Sequence, residues 1–208
     1  MNYLVTSPWW FRLCYPAKAE WHYPKAGKTL FLTFDDGPHP TITNQVLDAL
    51  KTYNAKATFF CIGKNVQAYP DIYRRILDEG HRVGNHSFNH LNGWKTDTKT
   101  YMEDIREASQ WIDSDLFRPP YGRILPFQAH LLRKAPRPYR LILWNILSAD
   151  FDSAISPEKC FEHVRRHAKN GAVIVFHDSE KAYPRMEYAL AQTLSYFSEK
   201  GYRFEAIQ

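Results

Sequence analysis

From Thr29 onward, short apolar runs alternate with segments whose apolar residues recur every three or four positions. That alternation predicts repeated βα units and a parallel sheet. The apolar runs place strands over 29–34, 57–61, 81–84, 116–118, 140–144, 172–176 and 203–206. Several are continuously apolar, as strands covered on both faces are. Between them, Val46, Leu47, Leu50 and Tyr53 share one helical stripe, Tyr101, Ile105, Ala108 and Ile112 a second, and Met186, Leu190, Leu194 and Phe197 a third. Pro70 and Gly80 bracket a further helix, and Ser156-Pro157 reads as an N-cap followed by a first-turn proline. The pattern suits a distorted, incomplete (β/α) barrel of about seven parallel strands better than a doubly wound sheet, two architectures that share this periodicity. One domain is expected over 29–208, preceded by a segment, 1–28, that packs on the barrel. The aromatic cluster Trp9, Trp10 and Phe11 is expected to lie under the barrel rather than on a membrane surface.

Composition narrows the classes. With 208 residues and 44% hydrophobic content the chain can bury a core without disulfides or a structural metal. Its three cysteines, Cys14, Cys61 and Cys160, form no C-x-x-C pair and read as small buried hydrophobes of a reducing compartment. The net charge of +5 is modest, and the densest basic run, Arg133, Lys134, Arg137 and Arg140, is broken by Pro136 and Pro138. A solvated face is expected there, not a nucleic-acid partner. No run approaches the roughly 20 apolar residues a membrane span needs. The first ten residues carry no Lys or Arg, and Pro8 and Arg12 interrupt the apolar stretch, so no secretory leader is read. A cytoplasmic monomer is the resulting expectation.

Candidate chemistry sits at strand ends. Thr33-Phe34-Asp35-Asp36-Gly37-Pro38 places adjacent carboxylates where the first strand stops, on the face where parallel barrels build active sites. Their mutual repulsion calls for a cation or an arginine nearby. His86-Ser87-Phe88-Asn89-His90 carries two histidines at i and i+4, a metal-ligand spacing if the segment turns helical. Arg118-Pro119-Pro120-Tyr121-Gly122, the stretch from Trp144 to Asp150, and Val175-Phe176-His177-Asp178 follow at later strand ends. His39 and His81 have no such partners and read as loop and core histidines.

Taken in order, these five segments resemble the motifs of the polysaccharide deacetylases, the carbohydrate esterase group that shares the NodB homology domain. The resemblance covers nearly everything after about residue 28. It implies a hydrolase that removes N-acetyl groups from a carbohydrate substrate. By it, Asp36, His86 and His90 bind one divalent metal, most often zinc and sometimes cobalt or nickel. Asp35 is the general base, oriented by Arg118, and the backbone N–H of Tyr121 helps stabilise the oxyanion. His177 protonates the leaving amine while Asp150 orients it. The fourth motif departs from the family's Asp-x-x-Asp-Trp: Leu147 replaces the first Asp and Phe151 the Trp, and Val175 replaces the fifth motif's leucine. These departures bear on pocket shape and substrate choice.

Two histidines and a carboxylate also make the facial triad of iron oxygenases. The second Asp and the Arg-Asp and Asp-His pairings implied by the resemblance are acid-base equipment and argue against that class. Other readings are an amidohydrolase or deformylase acting on a small amide or amino-sugar lipid, and a catalytically silent carbohydrate-binding relative that kept the fold.

Overall fold

The computed structural model describes residues 4–13, 15, 18–24 and 26–208. Eight strands and eight α-helices occur among them: β1 (Thr29–Asp35), β2 (Ala57–Cys61), β3 (Arg82–Asn85), β4 (Leu116–Phe117), β5 (Arg140–Leu141), β6 (Ile146–Leu147), β7 (Ala172–His177) and β8 (Arg203–Phe204); α1 (Trp9–Arg12), α2 (Ile42–Thr52), α3 (Gly63–Ala68), α4 (Pro70–Asp78), α5 (Thr98–Ala108), α6 (Pro126–Lys134), α7 (Pro157–His167) and α8 (Tyr183–Glu199).

The strand pairs are all parallel, and the sheet runs β5-β4-β3-β2-β1-β7-β6 with β8 added beside the start of β1. That order forces the sheet to curl. A flat sheet would hold the edge strands β5 and β6 about 29 Å apart, six spacings of about 4.8 Å. Leu141 and Ile146 are five residue steps apart, which span at most about 18 Å. The edges therefore approach each other, giving the expected incomplete barrel.

Side-chain alternation sorts each strand into two cores. Leu30, Leu32 and Phe34 of β1, with Ile174 and Phe176 of β7, belong to the outer core beneath the helices. Phe31, Phe60, Ile142 and Val173 belong to the barrel interior. Because successive side chains point to opposite faces, Thr33 and Asp35 follow Phe31 inward, and His177 follows Val173. Asp35 and His177 are also register partners on adjacent strands. Alternation thus delivers two of the candidate residues to the same end of the same face.

The segment before β1 spans the seam between the edges. Glu20 N–H donates to Leu141 O, and its carbonyl accepts from Leu143 N–H, both at 2.8 Å. Leu147 N–H donates to Val5 O at 2.8 Å, and Ser7 N–H to Asn145 O at 3.3 Å. Arg140 forks onto the Glu20 carboxylate at 2.8 and 2.9 Å. At the bottom, a Cβ on Gly171 would lie 1.8 Å from Tyr23 O, so only glycine admits the segment there.

Some details differ from the sequence pattern. The run 140–144 is not one strand: β5 ends at Leu141, Leu143 bonds to Glu20 of the seam segment, and a separate β6 follows. Helices α3 and α6 are additional. Tyr53 falls at the α2 C-cap, 38% exposed, beyond the buried stripe. Trp9 and Trp10 are 75% and 53% exposed rather than packed under the barrel; as successive residues of a helix they point about 100° apart and do not share one buried face. Cys61 and Cys160 are buried free thiols, as their spacing suggests, and Cys14 lies outside the described residues. No helix among the described residues is long and apolar enough to cross a membrane.

Candidate active site

At the C-terminal ends of the strands a cleft of about 1010 Å³ opens, with Asp35, Asp36, His86, His90 and His177 in its wall. Asp35 ends β1 and is buried inward; Asp36 has left the strand, with φ 81°. The turn is gripped from outside. Asp178 accepts the Gly37 N–H at 3.0 Å and the Thr43 hydroxyl at 2.5 Å, and Asn65 Nδ2 donates to Asp36 O at 2.7 Å. A Cβ on Gly37 would lie 2.1 Å from the Asp178 carboxylate, so glycine is what lets the two meet. Burial, and then the charge of nearby Asp36, push Asp178 up to about 7, with the Thr43 bond opposing them.

The histidine pair does not ride on a helix. Ser87 and His90 have φ 63° and 58°, and the loop's N–H groups go to side chains rather than to carbonyls one turn back. Ser87 N–H donates to Asn85 Oδ1 at 2.8 Å. The Asp104 carboxylate on α5 accepts from Phe88 N–H at 2.9 Å, from Asn89 N–H at 3.1 and 3.2 Å, and from Asn89 Nδ2 at 2.7 Å. The i, i+4 spacing therefore works here through a clamped loop. Asp104 and Asp178 were not singled out as site residues by sequence. The available signal for Asp104 was a carboxylate on the apolar stripe of Tyr101, Ile105 and Ala108.

The result is a cluster in which one ligand atom each from Asp36, His86 and His90 lies within 4.8 Å of the others. Asp36 Oδ1 lies 3.3 Å from His90 Nε2 and 3.8 Å from His86 Nε2. It is buried without a hydrogen-bond partner, an expensive state for a carboxylate oxygen. His86 Nδ1 lies 2.8 Å from Arg118 O; a carbonyl only accepts, so Nδ1 carries the proton and Nε2 presents its lone pair toward Asp36. Burial depresses both imidazole pKa values, that of His90 to about 4 with help from His86, so both rings are neutral at pH 7. One orphan carboxylate oxygen and two neutral imidazoles form a donor set that a divalent ion of the zinc type fits.

Two acid-base pairs flank the cluster. Arg118, wholly buried, donates through one Nη to Asp35 Oδ1 and to Thr33 Oγ1, both at 2.7 Å. Its Nε and other Nη reach Ile142 O and Leu143 O, and its guanidinium lies 4.0 Å from the Phe60 ring centre. Burial alone would raise the Asp35 pKa; Arg118, with His86 and His177, outweighs it and holds the carboxyl below its ordinary value. The arginine compensation inferred from the adjacent carboxylates is thus present. On the other side, buried Asp150 takes His177 N–H and Nδ1–H on its two oxygens, each at 2.7 Å. Burial opposes the charged imidazolium, yet Asp150, then Asp36 and Asp35, drive His177 up to about 10. Nε2 is thereby left for the cleft. Tyr121, with φ 59° and 60% exposed, stands over His90 at a ring separation of 4.6 Å. The fourth-motif departures line the cleft: Phe151 sets its ring edge-on to His177 at 5.3 Å, and Leu147 sits beside Val175.

A parallel (β/α) half-barrel with a histidine-aspartate cluster and two acid-base pairs at its strand ends is the architecture of a hydrolase. The chain belongs to the polysaccharide deacetylase family, whose sequence model matches residues 22–136, and its activity is that of a polysaccharide N-deacetylase. It is 37% identical over 194 residues to a peptidoglycan-N-acetylglucosamine deacetylase of Bacillus cereus, covering 90% of each chain. To the peptidoglycan-N-acetylmuramic acid deacetylase PdaC of Bacillus subtilis it is 32% identical over 186 residues, 86% of this chain but 38% of that protein. Among solved structures, the Bc1960 peptidoglycan N-acetylglucosamine deacetylase superposes with a TM-score of 0.84 at 28% identity, over 96% of this chain and 94% of that one.

Proposed function

We propose that the chain removes N-acetyl groups from the amino sugars of peptidoglycan by metal-assisted attack of water on the acetamide. The observation that carries the metal is the orphaned Asp36 Oδ1 between two neutral imidazoles. Asp36, His86 and His90 would hold one divalent ion, zinc by donor type, with cobalt or nickel able to use the same set. Bound there, the ion supplies Lewis acidity, which acidifies water and polarises a carbonyl. The chain's own residues do the rest. Asp35, kept ionised by Arg118, accepts the proton of the attacking water. The Tyr121 backbone N–H meets the oxygen on which negative charge develops. His177 Nε2, held protonated by Asp150, donates to the departing amine nitrogen, which is otherwise a poor leaving group.

The names of the relatives support the substrate: two act, by those names, on N-acetylglucosamine and N-acetylmuramic acid units of peptidoglycan. The decisive experiment measures acetate release from N-acetylated glycans alongside metal content. The parent protein should carry about one equivalent of metal and release acetate, whereas Asp36→Asn should lose both. Full metal occupancy in Asp36→Asn would overturn the ligand assignment.

A further inference from the structure

Most arginines with a long reach in this protein end on a carboxylate. Arg74, Arg75, Arg82, Arg137, Arg140 and Arg165 each pair with an Asp or Glu. Arg123, in the wall of the cleft, does not: its guanidinium lies 5.3 Å from the ring centre of Trp94, and no ion pair for it occurs among the described residues. Trp94 is a fixed platform. Its Nε1–H donates to Ile124 O at 3.2 Å, its N–H to Asn92 Oδ1 at 3.0 Å, and 55% of the residue remains exposed. The two loops carrying the pair are locked together, because a Cβ on Gly93 would lie 2.6 Å from Arg123 O. A preorganised cation stacked on a half-open indole presents two surfaces to a ligand: a flat apolar face for a sugar ring and a planar donor fork for a carboxylate. A second cation, Lys181, lines the cleft from the loop after β7.

We propose that Arg123, laid on Trp94, is a specificity-determining residue that selects amino-sugar chains bearing a carboxylate over neutral ones. The inference rests on the deacetylase reading of this same cleft and narrows its substrate. In such a chain the carboxylate comes either from an acidic ether substituent on the sugar, as in muramic acid, or from a peptide attached through that substituent. The fork recognises the shared chemistry. A neutral glycan leaves the guanidinium with no anionic partner, and a charge-assisted hydrogen bond of this kind is commonly worth about tenfold in affinity.

The test compares three tetrasaccharides: N-acetylglucosamine alone, the alternating polymer unit with free lactyl carboxylates, and the same unit with peptide attached. Arg123→Gln should lower the ratio of kcat/KM for a carboxylated fragment over the neutral one by about tenfold, through KM and with kcat little changed. Arg123→Lys, which keeps the charge, should fall between the two proteins. The carboxylated fragment that carries the loss identifies the source. Trp94 fluorescence reports binding of the same fragments without turnover. Carboxylate-selective binding that depends on Arg123, with no acetate released, would sink the deacetylase mechanism and leave the inference standing. Equal ratios in parent and Arg123→Gln, in both turnover and binding, would sink the inference while leaving the deacetylase.

Discussion

Asp35 and Asp36 are neighbours in sequence with opposite surroundings. Asp35 has Arg118 on its oxygen at 2.7 Å, whereas Asp36 Oδ1 has no hydrogen-bond partner. Asp35→Asn is therefore expected to keep its metal while kcat falls about 10²–10⁴-fold, the usual worth of a general base. If metal and activity vanish together, the roles are reversed. The same pairs fix the pH profile. Arg118 lowers the Asp35 pKa, so the base stays ionised and the acid limb moves to lower pH. His177 must be protonated, and its rise to about 10 moves the alkaline limb upward. A divalent ion beside Asp35 and Asp36 offsets their share of that rise and brings the limb down somewhat, but leaves the pull of Asp150. Asp150→Asn removes that pull, so the alkaline limb of kcat/KM should shift to lower pH at unchanged metal content. An unmoved limb would remove the support for His177 as the acid.

Elements hold the site by their backbones as much as by their side chains. The loop from His86 to His90 has left-handed residues at Ser87 and His90, and Asp104 on α5 takes its N–H groups. The i, i+4 spacing of His86 and His90 suggested a helix as their carrier; a loop carries them instead, because Asn85 and Asp104 capture the N–H groups that a helix would need. Asp104→Asn keeps the shape but turns one acceptor into a donor facing Asn89. Metal affinity, measured against a competing chelator, should fall about 10–100-fold, as it does when groups that orient ligands are lost. Unchanged affinity would mean that the loop holds its own shape.

At the scale of the whole molecule the notable feature is the seam. The curled sheet leaves β5 and β6 as edges, and the segment around Val5 and Glu20 bonds to both sides. Glu20 also anchors Arg140, with both side chains about one-third exposed. Glu20→Ala should therefore cost only about 1 kcal/mol, a drop in Tm of about 2–4 °C. Hydrogen exchange should speed at Leu143 N–H, which donates to Glu20 O, more than in the body of β1. Equal exchange in both regions would show that the segment does not depend on this pair.

What the sequence determined by itself was local and periodic. Continuous apolar runs defined the main strands, period-two alternation sent Thr33, Asp35 and His177 to one face, and the Ser156-Pro157 pair started α7. The motif residues, placed at strand ends by the pattern, converge because parallel strands all end on the same rim. The partnerships were decided by tertiary structure alone. Arg118 reaches Asp35 across 83 positions, and Asp178 grips the Gly37 turn across 141. The seam segment takes edge bonds that no strand in the sheet order supplies. Each depends on which elements the curl brings together, and a one-dimensional period carries no information about that distance.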